Sequence, residues 1–238
     1  MEQETDALTE IRVHRALGGD HPPPYLMPLL DSAVPDASSG GQGGRGGGRR
    51  RGGGHGGKAV LMLFPLCKGG ALQGRIIEPH RDPQLDGTRC LSIFARLCKA
   101  CEALHRKKIA HLDVKPGNVL LGEARCEADD VLGAELRPVL MDLGSAAPLR
   151  REIRSRQAAL NVADRAARCS SAAFRAPELW DCPSHCDLDC GKADVWALGC
   201  TLYAMVFGGG YSPFEHPVQA SAGERASRRG VIGIGARF

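Results

Sequence analysis

The feature that most constrains this chain is an ordered series of short polar clusters. His111-Leu112-Asp113-Val114-Lys115-Pro116-Gly117-Asn118 comes first and runs directly into Val119-Leu120-Leu121. Met141-Asp142-Leu143-Gly144 follows, then Ala176-Pro177-Glu178, then Asp194-Val195-Trp196-Ala197-Leu198-Gly199. Taken singly, Asp113 reads as a cap, Asp142 as a strand-end turn residue, Lys115 as a solvated cation and Asn118 as a turn former. Caps and turns do not require one another at fixed spacing. A set in this order therefore points to one shared task.

In that order the clusters resemble the protein-kinase signature set. Phosphoryl transfer needs an acceptor hydroxyl held in line and divalent metal on the phosphates. The resemblance makes Asp113 the residue that accepts or orients the hydroxyl proton, and places the charge of Lys115 on the transferring phosphate. Asn118 and Asp142 become the oxygen ligands of Mg²⁺, which prefers hard donors and keeps some of its water. Gly144 allows the turn that aims Asp142 into the cleft.

HLDVKPGNVLL, PVLMDLGS, SRQA, RAPEL, SHC and DVWALGCTLYAM carry the resemblance further. They are similar to the Numb-associated kinase group, most of all its small, lipid-anchored serine/threonine branch, which has Leu at the position of Leu143. The similarity runs from about Thr5 to Phe214. It implies that Glu10 is the helix-C glutamate, that Phe64 is the gatekeeper and that Pro65 and Cys67 offer backbone groups to the adenine of ATP. It also implies that Leu120 lies beneath the adenine, that Ser171 bonds Asp113 and Lys115, and that Asp194 bonds the catalytic-loop backbone. The expected function is a serine/threonine protein kinase using ATP and Mg²⁺ on a protein Ser/Thr acceptor. Leu112 stands where an Arg usually binds an activating phosphate, so activity is expected not to depend on phosphate within residues 145–175.

The expected fold class is α+β: a kinase-like two-lobed fold with a truncated N-lobe and a mainly helical C-lobe lacking its last helices. Residues 1–31 and 58–68 are expected to form the partial N-lobe, 32–57 a disordered insertion, 69–217 the partial C-lobe and 218–238 an unstructured tail. Helices are expected over 1–17, within 85–105 with Leu91 on the apolar face, and over 193–207. Short strands are expected at 25–30, 119–121 and 138–141, and a buried strand at 59–66. Residues 145–175 show little periodicity. No Gly-rich phosphate loop or N-lobe lysine precedes Glu10, so the chain is expected to be a fragment with negligible transfer of its own.

Composition narrows the alternatives. Residues 40–57 read GGQGGRGGGRRRGGGHGG, with 12 glycines, four arginines and no acid. That stretch cannot bury enough apolar surface to offset its ordering entropy. Of the 31 Lys and Arg residues four lie here, and the remaining 27 balance 27 Asp and Glu. The rest of the chain thus has no basic bias toward nucleic acid. RNA binding through the Gly/Arg stretch, and an inactive pseudokinase or scaffold, are the alternative readings. The longest apolar run, Ala59–Cys67, has nine residues and contains Pro65, far short of a membrane span. Glu2 follows Met1 where N-myristoylation needs Gly, so this N-terminus does not support the branch's lipid anchor. The ten scattered cysteines read as reduced thiols of a cytoplasmic protein. Cys182, His185, Cys186 and Cys190 invite a zinc reading, but they lack two separated ligand pairs.

Overall fold

A computed structural model describes residues 2–34, 60–77, 82–83, 85–122, 137–207, 209–216 and 230–231. The expected disordered insertion falls outside the described residues from position 35 to 57, as does most of the expected tail.

The chain opens with helix α1, Glu2–Ala16, which buries Ile11 and His14. Gly18 and Gly19 have positive φ and end it. Residues 25–30 do not form the expected strand. They make one bridge, Leu26 to Leu140, because Pro22, Pro23, Pro24 and Pro28 remove the donors a ladder needs. The strand begins later: β1, Asp31–Ala33, pairs antiparallel with β2, Leu61–Leu63. Ser32 and Ala33 therefore belong to the sheet, not to the insertion as expected. The described part of the run, 60–66, is not buried either. Leu61 and Leu63 are 58% and 57% exposed, because β2 has a neighbour on one edge and no described element over its outer face.

Past Cys67 the chain presses onto the next sheet. Gly69 donates its N–H to the Leu121 carbonyl at 2.9 Å, and a Cβ there would overlap that carbonyl. Only glycine permits this approach. A short helix α2, Leu72–Ile76, leads to the 20-residue α3, Gly87–Arg106. Asp86 caps α3 by accepting the Arg89 N–H at 2.8 Å, a contact worth about 1 kcal/mol. α3 buries Cys90, Ile93, Leu97, Ala100, Cys101 and Leu104 at helical spacing. Leu91, expected on that face, is 56% exposed because it lies one residue round from Cys90.

Strand β3, Ile109–Ala110, enters the loop carrying Asp113, and a 3₁₀ turn over Pro116–Asn118 leaves it. β4, Val119–Gly122, and β5, Arg137–Leu140, form an antiparallel hairpin. β6, Ala147–Pro148, pairs with β3, while β7, Arg150–Ile153, pairs with β8, Cys186–Asp189. Between β7 and β8 lie α4, Arg156–Cys169, and the short α5, Pro177–Trp180. α4 falls within 145–175, where the sequence shows little periodicity. Ser155 caps it by accepting the Ala158 N–H, and its buried stripe is Ala159, Val162 and Ala166. The central α6, Cys190–Val206, buries Asp194, Ala197, Leu198, Thr201 and Met205. β9, Glu215–His216, pairs with β10, Gly230–Val231, so the expected unstructured tail contains at least this bridge.

One apolar cluster joins α2, α3, α6 and the β4–β5 hairpin, and takes in Leu17 and Leu26 from the first part of the chain. A second joins α4, α5, β7 and β8 to the other side of α6. The loop carrying Asp113 runs between the two. No helix among the described residues is long and apolar enough to cross a membrane.

Candidate active site

Asp194, fully buried on α6, sets the loop before Asp113. Its Oδ2 accepts the His111 N–H at 2.9 Å and its Oδ1 the Leu112 N–H at 2.8 Å. Its Oδ2 also lies 2.8 Å from His105 Nε2. Leu112 sits at φ +65°, a left-handed conformation that costs a branched residue energy. Two charge-assisted bonds from one carboxylate hold it there.

His111 acts as a spacer. The Asp113 N–H donates to its Nδ1 at 3.2 Å, which leaves Nε2 as the protonated nitrogen donating to the Met141 carbonyl at 3.1 Å. The imidazole thereby ties the Asp113 loop to the backbone just before Asp142. A second tie runs from the Met141 N–H to the Asn118 carbonyl at 2.9 Å.

Asp113 is the centre of the cluster. Lys115 Nζ donates to its Oδ2 at 2.7 Å, and Asn118 Nδ2 donates to the same oxygen at 2.9 Å. Asn118 Nδ2 also reaches the Asp113 carbonyl, so the amide oxygen of Asn118 remains as an acceptor. The Ser171 N–H donates to Asp113 Oδ1 at 2.7 Å, and Lys115 Nζ reaches Ser171 Oγ at 2.6 Å. Asp113, Lys115, Asn118 and Ser171 are thus locked into one hydrogen-bonded group.

Asp142 faces this group from the turn after β5, at φ +67°. Burial pushes its pKa up most, followed by the nearby carboxylates of Glu10 and Asp113; His111 and the Gly144 N–H act against this. Glu10 comes in from α1, and its Oε1 accepts the Leu143 N–H at 3.3 Å. A half-buried carboxylate facing two others beside an amide oxygen is an oxygen-donor set that a hard divalent cation relieves.

The raised pKa has a consequence for stability. A carboxyl with a raised pKa resists ionisation in the fold, so stability is lost as pH climbs from the unfolded value of 3.8 through the folded one. Asp142→Asn is therefore expected to melt at a higher temperature than the wild type at neutral pH without metal. The gain should vanish below the unfolded value, and added Mg²⁺ should raise the wild-type melting temperature alone. Thermal melts across pH check all three.

Of the other expected site residues, Phe64, Pro65 and Cys67 follow β2 and Leu120 lies on β4. Phe64 tilts against the buried His14 ring of α1, with ring centroids 5.4 Å apart. Leu120 is half-buried on β4 opposite Val139. Pro65 and Cys67 line a cavity of about 390 Å³ whose other walls include Tyr25, Met27, Arg137 and Val139.

Arg165 on α4 is a contact the sequence reading missed. Its guanidinium reaches Asp6 of α1 at 3.5 Å and the Gly144 carbonyl at 3.2 Å. One turn on, Cys169 contacts Asp6 through its thiol and accepts the Ser145 hydroxyl at its carbonyl. The i, i+4 spacing of Arg165 and Cys169 places both on one helix face. Arg165→Ala should speed amide hydrogen exchange in α1 several-fold while leaving α3 and α6 unchanged.

The comparisons with known proteins fit this geometry. A family model described as protein kinase domain matches residues 2–232. The chain belongs to the protein kinase domain family. A protein kinase domain implies use of ATP with a divalent metal, as the oxygen-donor set around Asp142 suits. Serine/threonine-protein kinase 16 of Rattus norvegicus and of Homo sapiens are each 40% identical over 151 residues, covering 63% of this chain and 45% of the relative. A probable serine/threonine-protein kinase of Dictyostelium discoideum is 29% identical over 217 residues, covering 66% of this chain and 57% of the relative. The chain thus spans about half the length of these kinases. The crystal structure of the yeast RNA Pol II CTD kinase CTDK-1 complex matches 90% of this chain and 53% of that chain, with a TM-score of 0.56 and 20% identity. That likeness shows the kinase-domain fold, two-lobed and α+β, as expected from the sequence.

Proposed function

We propose that the protein transfers the γ-phosphoryl group of ATP to Ser or Thr hydroxyls of protein substrates, as a member of the Numb-associated kinase group. The observation that carries the reading is the Asp113–Lys115–Ser171 group. Lys115 two residues after the aspartate, braced by a hydroxyl, suits an aliphatic alcohol acceptor.

In this reading Asp113 Oδ2 orients the acceptor hydroxyl and takes its proton as the new P–O bond forms. Lys115 offsets charge on the transferring group, and Ser171 keeps Lys115 and Asp113 from drifting apart. Positioning of this kind supplies most of the catalysis phosphoryl transfer uses. Asp142 and the Asn118 amide oxygen would hold Mg²⁺, which supplies positive charge against the phosphate oxygens. Glu10 orients the Leu143 backbone and so the loop carrying Asp142. The Numb-associated assignment is supported by Leu143 in the Asp142-Leu143-Gly144 tripeptide and by the SHC and SRQA segments.

The test is nucleotide binding by calorimetry, with the protein at its natural full length. ATP affinity should rise at least tenfold on adding Mg²⁺ in the wild type and not in Asp142→Ala. Equal affinity with and without the metal in both proteins would defeat the reading.

A further inference from the structure

The turn between α5 and β8 carries a second piece of chemistry, away from the Asp113 cluster. Cys182 and Cys186 flank Pro183-Ser184-His185. Both thiols donate to the same acceptor, the Pro183 carbonyl, at 3.6 Å from Cys182 Sγ and 3.2 Å from Cys186 Sγ. After burial, the neighbouring Cys186 is what pushes the Cys182 pKa up most. His185 makes the approach possible. It sits at φ +58°, and that left-handed residue folds Cys186 back beneath Pro183.

We propose that Cys182 and Cys186 are a site of reversible oxidation, closing to a disulfide within this turn. The two differ in access. Cys182 is 2% exposed and packs with Leu179, Ile153 and Leu188, whereas Cys186 is half-exposed at the start of β8. A peroxide therefore meets Cys186 first. One peroxide oxygen transfers to the Cys186 sulfur, giving a sulfenic acid and releasing water. The Cys182 sulfur then attacks the Cys186 sulfur, and the hydroxyl leaves as a second water. Overall two thiols lose two electrons and two protons to hydrogen peroxide, and a dithiol returns the bond to thiols.

The neighbouring Cys190 sets the selectivity. It is fully buried, and burial drives its pKa up to about 11, so it stays a thiol while the pair reacts. The closed ring would fuse the end of α5 to the first residue of β8. That residue pairs with Ile153, so the ring fixes the β7–β8 ladder at its α5 end.

The experiment uses the purified full chain, treated with hydrogen peroxide, alkylated without reduction and digested with trypsin. The peptide from Ala176 to Lys192 contains all three cysteines. The proposal expects it lighter by two hydrogen atoms, alkylated at Cys190 alone, with no backbone fragments from between Cys182 and Cys186. Dithiothreitol before alkylation should restore three alkylated cysteines. In Cys182→Ser, dimedone should capture Cys186 sulfenic acid at several times the wild-type yield. Because the wild-type peptide is read directly, the result does not depend on that variant folding. A Cys186–Cys190 link, three alkylated cysteines after peroxide, or equal dimedone capture in both proteins would overturn the proposal.

Discussion

Asp194→Ala is expected to cost about 3–5 kcal/mol, the usual effect of removing one partner from a buried charged network. The carboxylate is fully buried and is the acceptor for two backbone N–H groups, those of His111 and Leu112. Alanine leaves both donors orphaned, and each buried orphan costs about 1–3 kcal/mol. It also releases Leu112 from φ +65°, and the strain there was held only by those bonds. A domain of this kind has about 5–15 kcal/mol in total, so the variant should lie near the edge of folding. Asp194→Asn keeps one acceptor oxygen and should lose clearly less. Urea denaturation of the two variants measures the difference. A loss below about 1 kcal/mol for alanine would mean that the loop is held by something else.

Asp113→Asn is expected to lower phosphotransfer by about 10²–10⁴-fold, the range for removing a positioned acid–base group. The geometry makes the effect larger than a simple loss of charge. Both carboxylate oxygens accept: Oδ2 from Lys115 and Asn118, Oδ1 from the Ser171 N–H. An asparagine has one acceptor oxygen, so either orientation turns its NH₂ against a donor. Lys115 and Ser171 should then lose their fixed relation. ATP affinity should change little, because in the proposed mechanism Asp113 orients the acceptor while Asp142 and Asn118 would hold the metal. Steady-state rates and nucleotide calorimetry on the same variant separate the two effects.

How much of this was readable in the sequence depends on what kind of contact holds each residue. Asp113, Lys115 and Asn118 come together because the short loop from β3 through the 3₁₀ turn to β4 leaves them few places to go, whereas Ser171 is brought in from beyond α4 by its bonds to Asp113 and Lys115. The helices α1, α3 and α6 were legible because large apolar residues recur on one face or fill the segment. Helix α4 was not, since its buried stripe is Ala159, Val162 and Ala166, and alanine signals propensity without marking a face. Its contacts were equally hidden. Nothing local to Arg165 says that Asp6, 159 residues earlier, will meet it.

The strand errors have one cause. Leu61 to Leu66 is apolar enough to read as buried, yet burial depends on which neighbours cover a strand. Ser32 and Ala33 show the reverse case, polar and small residues drawn into a strand by pairing with Met62 and Leu61.

The central claim is that Asp113 and Asp142 belong to one phosphotransfer site for hydroxyl acceptors. The most direct measurement is transfer of radiolabel from γ-labelled ATP to a mixed protein substrate, followed by phosphoamino-acid analysis, with the protein at its natural full length. The account predicts label on serine and threonine, dependent on Mg²⁺, and lost in both Asp113→Asn and Asp142→Ala. Label on tyrosine, or transfer that survives in both variants, would contradict it.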